Sequence, residues 1–309
     1  MTLGFDLGGT TIKAGLVDGN GRVIASRRET TPTNVATFRT TLEALARSLL
    51  AESPEPVTGA GFASKGLIDP ESTRVIANPG PTVFLEGQTL SSLVADALPS
   101  NCAIAGDNDA RAALAGEVKW GAAKGCHDAL LFTLGTGVGG GVLAGGRIIR
   151  GAGGIAGHLG HVCVDPWGAH CICGGRGCIE TIFSARAIES AADAMIHRSV
   201  DTALRDSTTR PPTCEHVFAL AQQGDPVARH IVDRATIALG AAIAGLAHAL
   251  DPEVIIVGGQ IADAGDYLFQ KLREELDWRT RKFLRREIPL VPAQVKDAIA
   301  GAAALVRAS

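Results

Sequence analysis

The apolar positions in the first 121 residues follow the alternating patterns of strands and helices. Residues 34–53 place apolar side chains three to four positions apart, the spacing of one helical face (Phe38, Leu42, Leu45, Leu49). Short apolar segments bounded by glycine-rich turns surround this helix, and we predict that they are strands, over 3–9, 11–19, 21–29, 57–64 and 102–107. A second helix is predicted over 109–121, directly after the last strand.

The strand–turn–strand pattern at the start of the chain occurs a second time. The segments "FDLGGTTIKAGLVDGNGRVI" (5–24) and "FTLGTGVGGGVLAGGRII" (132–149) both run from Phe-x-Leu-Gly through a Gly/Thr-rich turn to an apolar strand. Their lengths from Phe to Arg differ by two residues, which a hairpin turn absorbs. Chance similarity between glycine-rich hairpins is one interpretation. A duplicated α/β domain is the interpretation that we favour.

The apolar spacing after residue 183 is mostly helical. We predict helices over 184–199, 215–224, 225–250, 266–280 and 296–308, and one buried strand over 252–261. The longest nearly apolar run, 238–250, is shorter than the ~20 residues that a membrane-spanning helix needs, so we expect no membrane partner.

Composition narrows the class of protein. The chain has 309 residues, of which 46% are hydrophobic and 20% charged, enough for one large or two ordinary domains. Its net charge of −3 gives no electrostatic reason to expect nucleic acid as a partner. The first residues have neither a basic segment nor an apolar one, so we expect no secretory signal and a cytoplasmic location. In that compartment clustered cysteines favour a metal over disulfides.

Two glycine-rich turns are candidates for binding phosphate. The turns at 6–11 and 134–141 leave backbone N–H groups open to phosphate oxygens, and Thr10, Thr11 and Thr136 add hydroxyl donors. Neither turn matches a P-loop or a dinucleotide fingerprint, so each alone is weak evidence. Together, in duplicated domains, they would hold one polyphosphate. Asp6 adds a carboxylate suited to Mg²⁺.

Asp107, Asn108 and Asp109 lie between a predicted strand and a predicted helix. Asp and Asn are favoured at helix N-termini whatever the function, so this group is a helix cap by one interpretation. By the other it supplies the carboxylate that accepts a hydroxyl proton in phosphoryl transfer. The residue pattern alone leaves both open.

A cluster of cysteines and histidines in "GHLGHVCVDPWGAHCICGGRGC" (157–178) indicates a zinc site. Cys171, Cys173 and Cys178 form a tight knuckle with glycines between them, and His161 is the expected fourth ligand. Competing ligands are Cys163, His158 and His170. Four protein ligands leave no position for a metal-bound water, so we predict a structural zinc.

Several segments resemble one known family. The sequences "FDLGGTTIKAGLVD", "NDARAALAGE", "LGTGVGGGVLAGGRIIRGAGGIAGHLGH", "CICGGRGCIE" and "DPEVIIVGGQI" are similar to those of the ROK (repressor, open reading frame, kinase) family, in order from residue 3 to about 306. The resemblance implies a duplicated α/β, actin-like fold of the sugar kinase and Hsp70 ATPase superfamily. It implies a small domain of 1–115 plus 293–309, a large domain of 116–292, and a cleft where sugar and ATP meet. It also implies a homodimer.

The resemblance assigns roles to individual residues. Asp109 would be the general base on the 6-hydroxyl of a hexose. The other sugar-binding residues would be Gly66, Asn108, His158, His161 and Glu180. ATP and Mg²⁺ would be bound by Asp6, Gly8, Gly9, Thr10, Thr11, Lys13, Thr136, Gly137, Gly139, Gly258 and Gly259. Zinc would be bound by His161, Cys171, Cys173 and Cys178. Lys65, in the loop over the sugar, is either a specificity residue or only an exposed side chain.

His158 departs from the pattern of most hexokinases of the family, which have Glu in its place. A neutral imidazole offers one donor and one acceptor, which suits an acetamido group on the sugar C2. This version and the segment after it are most similar to bacterial N-acetylmannosamine kinases. We therefore expect N-acetylmannosamine as the substrate, with a glucokinase or another ROK hexokinase as the alternative.

A transcriptional regulator is the remote alternative from another class. ROK repressors share this body and its zinc knuckle, and resemblance implies a DNA-binding domain before it. Here the phosphate turn begins at Asp6, and Asp109 is present, so we expect a kinase.

Overall fold

The chain divides into two compact units. The computed structural model describes residues 1–78, 80–198 and 200–306. Unit 1 comprises Met1–Gly125, Ile148–Ala156 and Gln294–Ser309, and unit 2 comprises Cys126–Arg147 and Gly157–Ala293. The domain limits predicted above stay a prediction. A boundary at residue 115 would lie inside the helix Asp109–Trp120, which belongs entirely to unit 1. Residues 148–156 also belong to unit 1.

The elements alternate along the chain much as the apolar pattern predicts. In chain order they are β1 (Thr2–Leu7), β2 (Thr11–Val17), β3 (Val23–Thr30), α1 (Val35–Ala51), β4 (Gly59–Ser64), β5 (Leu67–Ile68), β6 (Val75–Ala77), β7 (Ala103–Asn108), α2 (Asp109–Trp120), β8 (Ala129–Leu134), β9 (Val138–Ala144), β10 (Arg147–Ile148), α3 (Glu180–Phe183), α4 (Ala185–His197), α5 (Cys214–Gln223), α6 (Pro226–Leu250), β11 (Val254–Gly258), α7 (Asp266–Thr280), β12 (Leu290–Pro292) and α8 (Ala298–Ala304). The helix predicted over 296–308 is shorter, and residues 307 and 308 lie outside the described part of the chain.

Unit 1 is built on a sheet of order β3-β2-β1-β4-β7. Strands β1, β4 and β7 are parallel, whereas β2 and β3 are antiparallel to their neighbours. One face carries apolar side chains that pack with α1, and Phe5 stacks on Phe62 with ring centroids 4.8 Å apart.

A row of glycines on the sheet of unit 1 lets α8 approach closely. Gly15, Gly4 and Gly61 lie opposite one another on adjacent strands. A Cβ on Gly61 would lie 1.9 Å from the carbonyl oxygen of Ala302 in α8. Only glycine therefore fits, and the C-terminal helix packs directly on the backbone of the sheet.

Unit 2 repeats the strand order of unit 1. Its sheet has the order β10-β9-β8-β11-β12, with the division between the units inside β10. In unit 1, β1 and β2 form an antiparallel hairpin and β4 runs parallel to β1. In unit 2, β8 and β9 form the corresponding hairpin and β11 runs parallel to β8. The segments whose sequences match, 5–24 and 132–149, occupy corresponding strands. The predicted duplication is therefore confirmed by the shared topology.

Helix α6 is the core helix of unit 2. Among the residues that the structure describes, α6 is the one helix whose length and apolar composition would allow it to cross a membrane. More than half of its most apolar window, 56%, is buried inside the protein. Leu239, Ile243 and Ala247 are fully buried in the core. Its apolar character is thus explained by packing.

Candidate active site and metal centre

The glycine-rich turn of unit 1 joins β1 to β2. Gly8 N donates to Thr11 O at 3.1 Å, and a Cβ on Gly8 would lie 2.6 Å from that same oxygen. Gly9 and Thr11 are partly exposed and Thr10 is exposed. The segment Gly9–Thr11 is therefore open to solvent at the carboxyl end of β1, as access for a phosphate requires.

Asp6 and Lys13 lie opposite each other beside this turn. They are register partners on β1 and β2, and Lys13 Nζ lies 3.5 Å from Asp6 Oδ2. Burial raises the pKa of the Asp6 carboxyl, and the charge of Lys13 opposes that shift. The pair places one carboxylate and one ammonium at the base of the turn.

Asn108 is the N-cap of α2 and also holds the loop after β4. Its Oδ1 accepts from the backbone N–H of Ala110 at 3.0 Å and of Arg111 at 3.4 Å. Its Nδ2 donates to the carbonyl of Gly66 at 3.1 Å. The amide is therefore largely committed to the protein, and its contact with a sugar stays a prediction.

Asp109 is the first residue of α2 and has an exposed side chain. Although its surface is open to solvent, the surrounding protein displaces enough water that desolvation raises the pKa of the carboxyl. The backbone N–H of Ala110, 2.9 Å from Oδ1, lowers the pKa, the charge of Asp6 raises it, and that of Lys65 lowers it. A carboxylate with a raised pKa is a stronger proton acceptor.

Asp107 is fully buried between two arginines. Its Oδ1 accepts from Arg111 Nε at 2.6 Å, and its Oδ2 accepts from Arg150 Nε at 2.7 Å. Arg111 also donates to the carbonyls of Gly154 and Ala156, at 2.9 Å each. This ion cluster ties segment 148–156 to the start of the helix that carries Asp109. Of these residues, sequence reasoning missed the arginines; only the i,i+4 spacing of Asp107 and Arg111 was a signal.

The glycine-rich turn of unit 2 lies where β8 ends. Thr136 is exposed and Gly137 and Gly139 are partly exposed. Gly258 and Gly259 lie at the same edge, because β11 runs parallel to β8. Gly259 has a φ of 88°, and a Cβ there would lie 2.3 Å from Leu134 O. Within unit 2, the structure therefore brings the turn after β8 close to Gly258 and Gly259, the two segments of this unit to which the family resemblance assigns ATP binding.

Glu180 is attached to this second turn. Its Oε2 accepts from Val138 N at 2.9 Å, and a Cβ on Gly137 would lie 2.5 Å from that oxygen. The side chain is partly buried at the start of α3. A carboxylate accepts several hydrogen bonds, so this contact orients Glu180 and leaves it able to accept from a ligand.

His161, Cys171, Cys173 and Cys178 form a cluster whose ligand atoms all lie within 4.8 Å of one another. Cys173 Sγ is 3.6 Å from Cys178 Sγ, and Cys171 Sγ is 3.4 Å from His161 Nδ1. A tetrahedral zinc with bonds of about 2.3 Å separates two sulfurs by roughly 3.8 Å. The donor set and its spacing therefore fit zinc with four protein ligands.

The backbone and thiols of the cluster also suit a metal. Gly177 has a φ of 62°, and a Cβ there would lie 1.5 Å from Asp165 O, so the turn requires glycine. Burial raises the pKa of Cys178, whereas the backbone N–H of Gly175 lowers the pKa of Cys173. Because thiolates are the ligands, metal binding displaces protons and weakens at acid pH.

The competing ligands lie outside this cluster. Cys163 is paired with Cys178 by an isolated antiparallel bridge, but it does not belong to the group of four. His170 Nε2 lies 2.7 Å from Arg176 Nη2. The ring of His158 is nearly parallel to that of His161, with centroids 6.4 Å apart. His158 therefore lies beside the metal cluster without belonging to it, and its contact with a sugar stays a prediction.

Comparisons with known proteins agree with the fold and with the motifs. A model described as "ROK family" matches residues 2–309. The chain is 35% identical to a glucokinase of Thermotoga maritima, over 99% of this chain and 96% of that protein. It is 34% identical to an N-acetylmannosamine kinase of Salmonella typhimurium, over 87% of this chain and 86% of that protein. The crystal structure of a ROK family glucokinase from Streptomyces griseus in complex with glucose and AMPPNP is 30% identical and matches with a TM-score of 0.80, covering 98% of this chain and 97% of that one.

Proposed function

Because the chain belongs to the ROK family and is a sugar kinase, we propose that it transfers the γ-phosphoryl group of ATP to the 6-hydroxyl of a hexose, with N-acetylmannosamine preferred. The family membership and the actin-like α/β fold, both predicted above, are confirmed. The observation that carries the proposal is the position of Asp109. It is a carboxylate of raised pKa at the same sheet edge as the glycine-rich turn after β1.

Asp109 acts as the general base in this proposal. It accepts the proton of the 6-hydroxyl while the sugar oxygen bonds to the γ-phosphorus, and ADP leaves with the electrons of the broken bond. Glu180, oriented by Val138 N, accepts hydrogen bonds from sugar hydroxyls.

The two glycine-rich turns bind the phosphates of ATP. The N–H groups of Gly8 and Val138 are bonded within the protein. The proposal therefore assigns the phosphates to the other N–H groups of Gly8–Thr11 and Thr136–Gly139 and to the threonine hydroxyls. The Asp6 carboxylate suits Mg²⁺, which neutralises phosphate charge when it is bound. Gly258 and Gly259 give the adenosine close access to the backbone at the end of β11.

The zinc site has a structural role in this proposal. Its ligands include His161, and Glu180 follows Cys178 by two residues. A zinc ion there would tie together the segments that carry His158 and Glu180, and its four protein ligands leave no position for substrate. With zinc bound, the positions of His158 and Glu180 would be fixed by the metal ligands next to them in the sequence.

His158 supports the choice of N-acetylmannosamine. Relatives named glucokinase and N-acetylmannosamine kinase have nearly equal identity to this chain, so identity does not select the sugar. A neutral imidazole has one donor and one acceptor nitrogen, which match the N–H and C=O of an acetamido group. A glutamate there would accept from a hydroxyl, as glucose requires. Glucose phosphorylation is the alternative.

A coupled ADP-release assay over a panel of hexoses tests the proposal. The panel is N-acetylmannosamine, glucose, mannose, N-acetylglucosamine, fructose and allose. We expect the highest kcat/KM with N-acetylmannosamine. A clear preference for glucose would contradict the substrate, and no sugar-dependent ADP with any hexose would contradict the kinase itself.

A His158→Glu variant tests the specificity residue. We expect its ratio of kcat/KM for N-acetylmannosamine over glucose to fall on the order of tenfold to hundredfold, because the acetamido group loses a matched partner. His170→Glu, at an exposed histidine of the same segment, is the matched control and should leave the ratio unchanged. An unchanged ratio in His158→Glu would remove His158 from sugar selection.

A location and an assembly state complete the proposal. We propose a cytoplasmic enzyme because the relatives are sugar kinases and because the apolar helix α6 is a core element. A homodimer is proposed from the family resemblance, and size-exclusion chromatography with light scattering tests it.

A further inference from the structure

Three parallel strands of unit 1 end at one edge of the sheet in matching register. Leu7 of β1 lies opposite Ser64 of β4, and Ser64 lies opposite Asn108 of β7. The residue after each strand is therefore Gly8, Lys65 or Asp109. Because β4 lies between β1 and β7, Lys65 follows the strand between the phosphate turn and the base.

The backbone beside Lys65 is constrained by a glycine turn and by a hydrogen bond. Gly66 has a φ of 83°, and a Cβ there would lie 2.0 Å from Ala77 O, so the turn after Lys65 requires glycine. The Gly66 carbonyl accepts from Asn108 Nδ2 at 3.1 Å. Gly66, which follows Lys65 directly, is thus hydrogen-bonded to the residue that caps the helix of Asp109.

The side chain of Lys65 is exposed, and its charge reaches both carboxylates of this edge. Burial raises the pKa of Asp6 and of Asp109, and the positive charge of Lys65 opposes both shifts. Lys65 takes part in none of the ion pairs formed within residues 1–78, 80–198 and 200–306. Its ammonium is therefore available to a ligand.

We propose that Lys65 is a catalytic residue whose ammonium binds the phosphoryl group as it passes from ATP to the sugar. This inference rests on the proposed kinase function. A phosphoryl group that approaches Asp6 and Asp109 brings negative charge toward two carboxylates. Lys13 and the proposed Mg²⁺ offset the charge at Asp6, and Lys65 adds a cation at the end of the strand that lies between those of Asp6 and Asp109. The sugar oxygen bonds to the γ-phosphorus as the bond to the bridging oxygen of ADP breaks, and the hydroxyl proton goes to Asp109. Lys65 keeps its proton throughout.

The test compares Lys65→Met with Lys65→Arg and with Lys124→Met. Lys124 is an exposed lysine of unit 1 outside the proposed site, so its variant is the matched control. For each protein, kcat and the KM values for sugar and ATP are measured across pH, and Tm and zinc content confirm folding. We expect Lys65→Met to lower kcat on the order of 10²-fold, including on the pH plateau where Asp109 is ionised. Lys65→Arg should keep most of the rate and Lys124→Met all of it.

Three results would overturn the role of Lys65. Unchanged kcat in Lys65→Met would make it an exposed lysine only. If the kcat of Lys65→Met returned to the wild-type value on the pH plateau, Lys65 would act solely on the ionisation of Asp109. A raised sugar KM at constant kcat would make it a sugar-binding group. Wild-type protein that releases no ADP with any hexose would instead contradict the proposed function, so the two failures are distinguishable.

Discussion

The buried carboxylate of Asp107 gives a stability prediction that follows from the structure. Asp107→Asn keeps the shape of the side chain and removes its charge. Asp107 is 0% exposed and Arg111 is 1% exposed, so the guanidinium of Arg111 would remain buried without a counter-charge. Arg150 is 28% exposed and regains water more easily. The asparagine amide would also have to present an oxygen to both arginines, which it cannot do.

The expected loss in the free energy of unfolding can be estimated from the burial of the three charged side chains. Removing the charge of one partner from a buried ion pair lowers the free energy of unfolding by about 3–5 kcal/mol. Because Arg150 is partly exposed, we expect a value at the lower end of this range. A loss of about 3 kcal/mol corresponds to a fall in Tm of roughly 6–12 °C for a domain of this size. We expect the same variant to loosen segment 148–156, because Arg111 and Arg150 both donate hydrogen bonds to backbone carbonyls of this segment.

Differential scanning calorimetry and urea unfolding measure this effect. The matched control is Asp96→Asn, which neutralises an aspartate paired with Arg39 at the surface, where the side chains are 72% and 45% exposed. Surface pairs contribute less than about 1 kcal/mol, so the control should unfold nearly like the wild type. Equal losses in both variants, or none in Asp107→Asn, would refute the reasoning that burial makes this pair critical.

Three further predictions concern activity and metal. Asp109→Asn should lower kcat by a factor on the order of 10²–10⁴ without loss of folding or zinc, and wild-type turnover would make Asp109 only a cap. Because burial raises the pKa of Asp109, kcat/KM should fall as pH drops through a value above the ordinary aspartate range, and a limb below that range would contradict it. Cys173→Ser should lose zinc in a chelator assay and weaken sugar binding more than ATP binding; full activity without zinc would make the metal dispensable.

The sequence predicts the parts of this protein that rest on local patterns. Spacing indicates the three cysteines of the zinc site, whereas the choice of His161 over its competitors rests on the family resemblance. The cluster of four confirms that these residues lie close together. The hairpins at 5–24 and 132–149 share a pattern long enough to predict the repeated topology. Asp109 is different, because its residue pattern fits a helix cap equally well, and only the family resemblance indicates a base.

Contacts between distant residues could not be predicted in the same way. Glu180 and Val138 are 42 positions apart, and Arg150 and Asp107 are 43 apart, with no periodic signal to link them. The strands β5, β6 and β12 have two or three residues each, too few to show an alternating pattern. These short elements and long-range contacts depend on the tertiary structure.

Identification of the product tests the central claim most directly. Purified protein is incubated with ATP, Mg²⁺ and N-acetylmannosamine, and the product is analysed by ³¹P–¹H correlation NMR. The account predicts a phosphate coupled to the two protons on C6, with ADP formed in equal amount and only in the presence of sugar. A phosphate coupled to the proton on C1, or ATP consumption that does not require sugar, would contradict it.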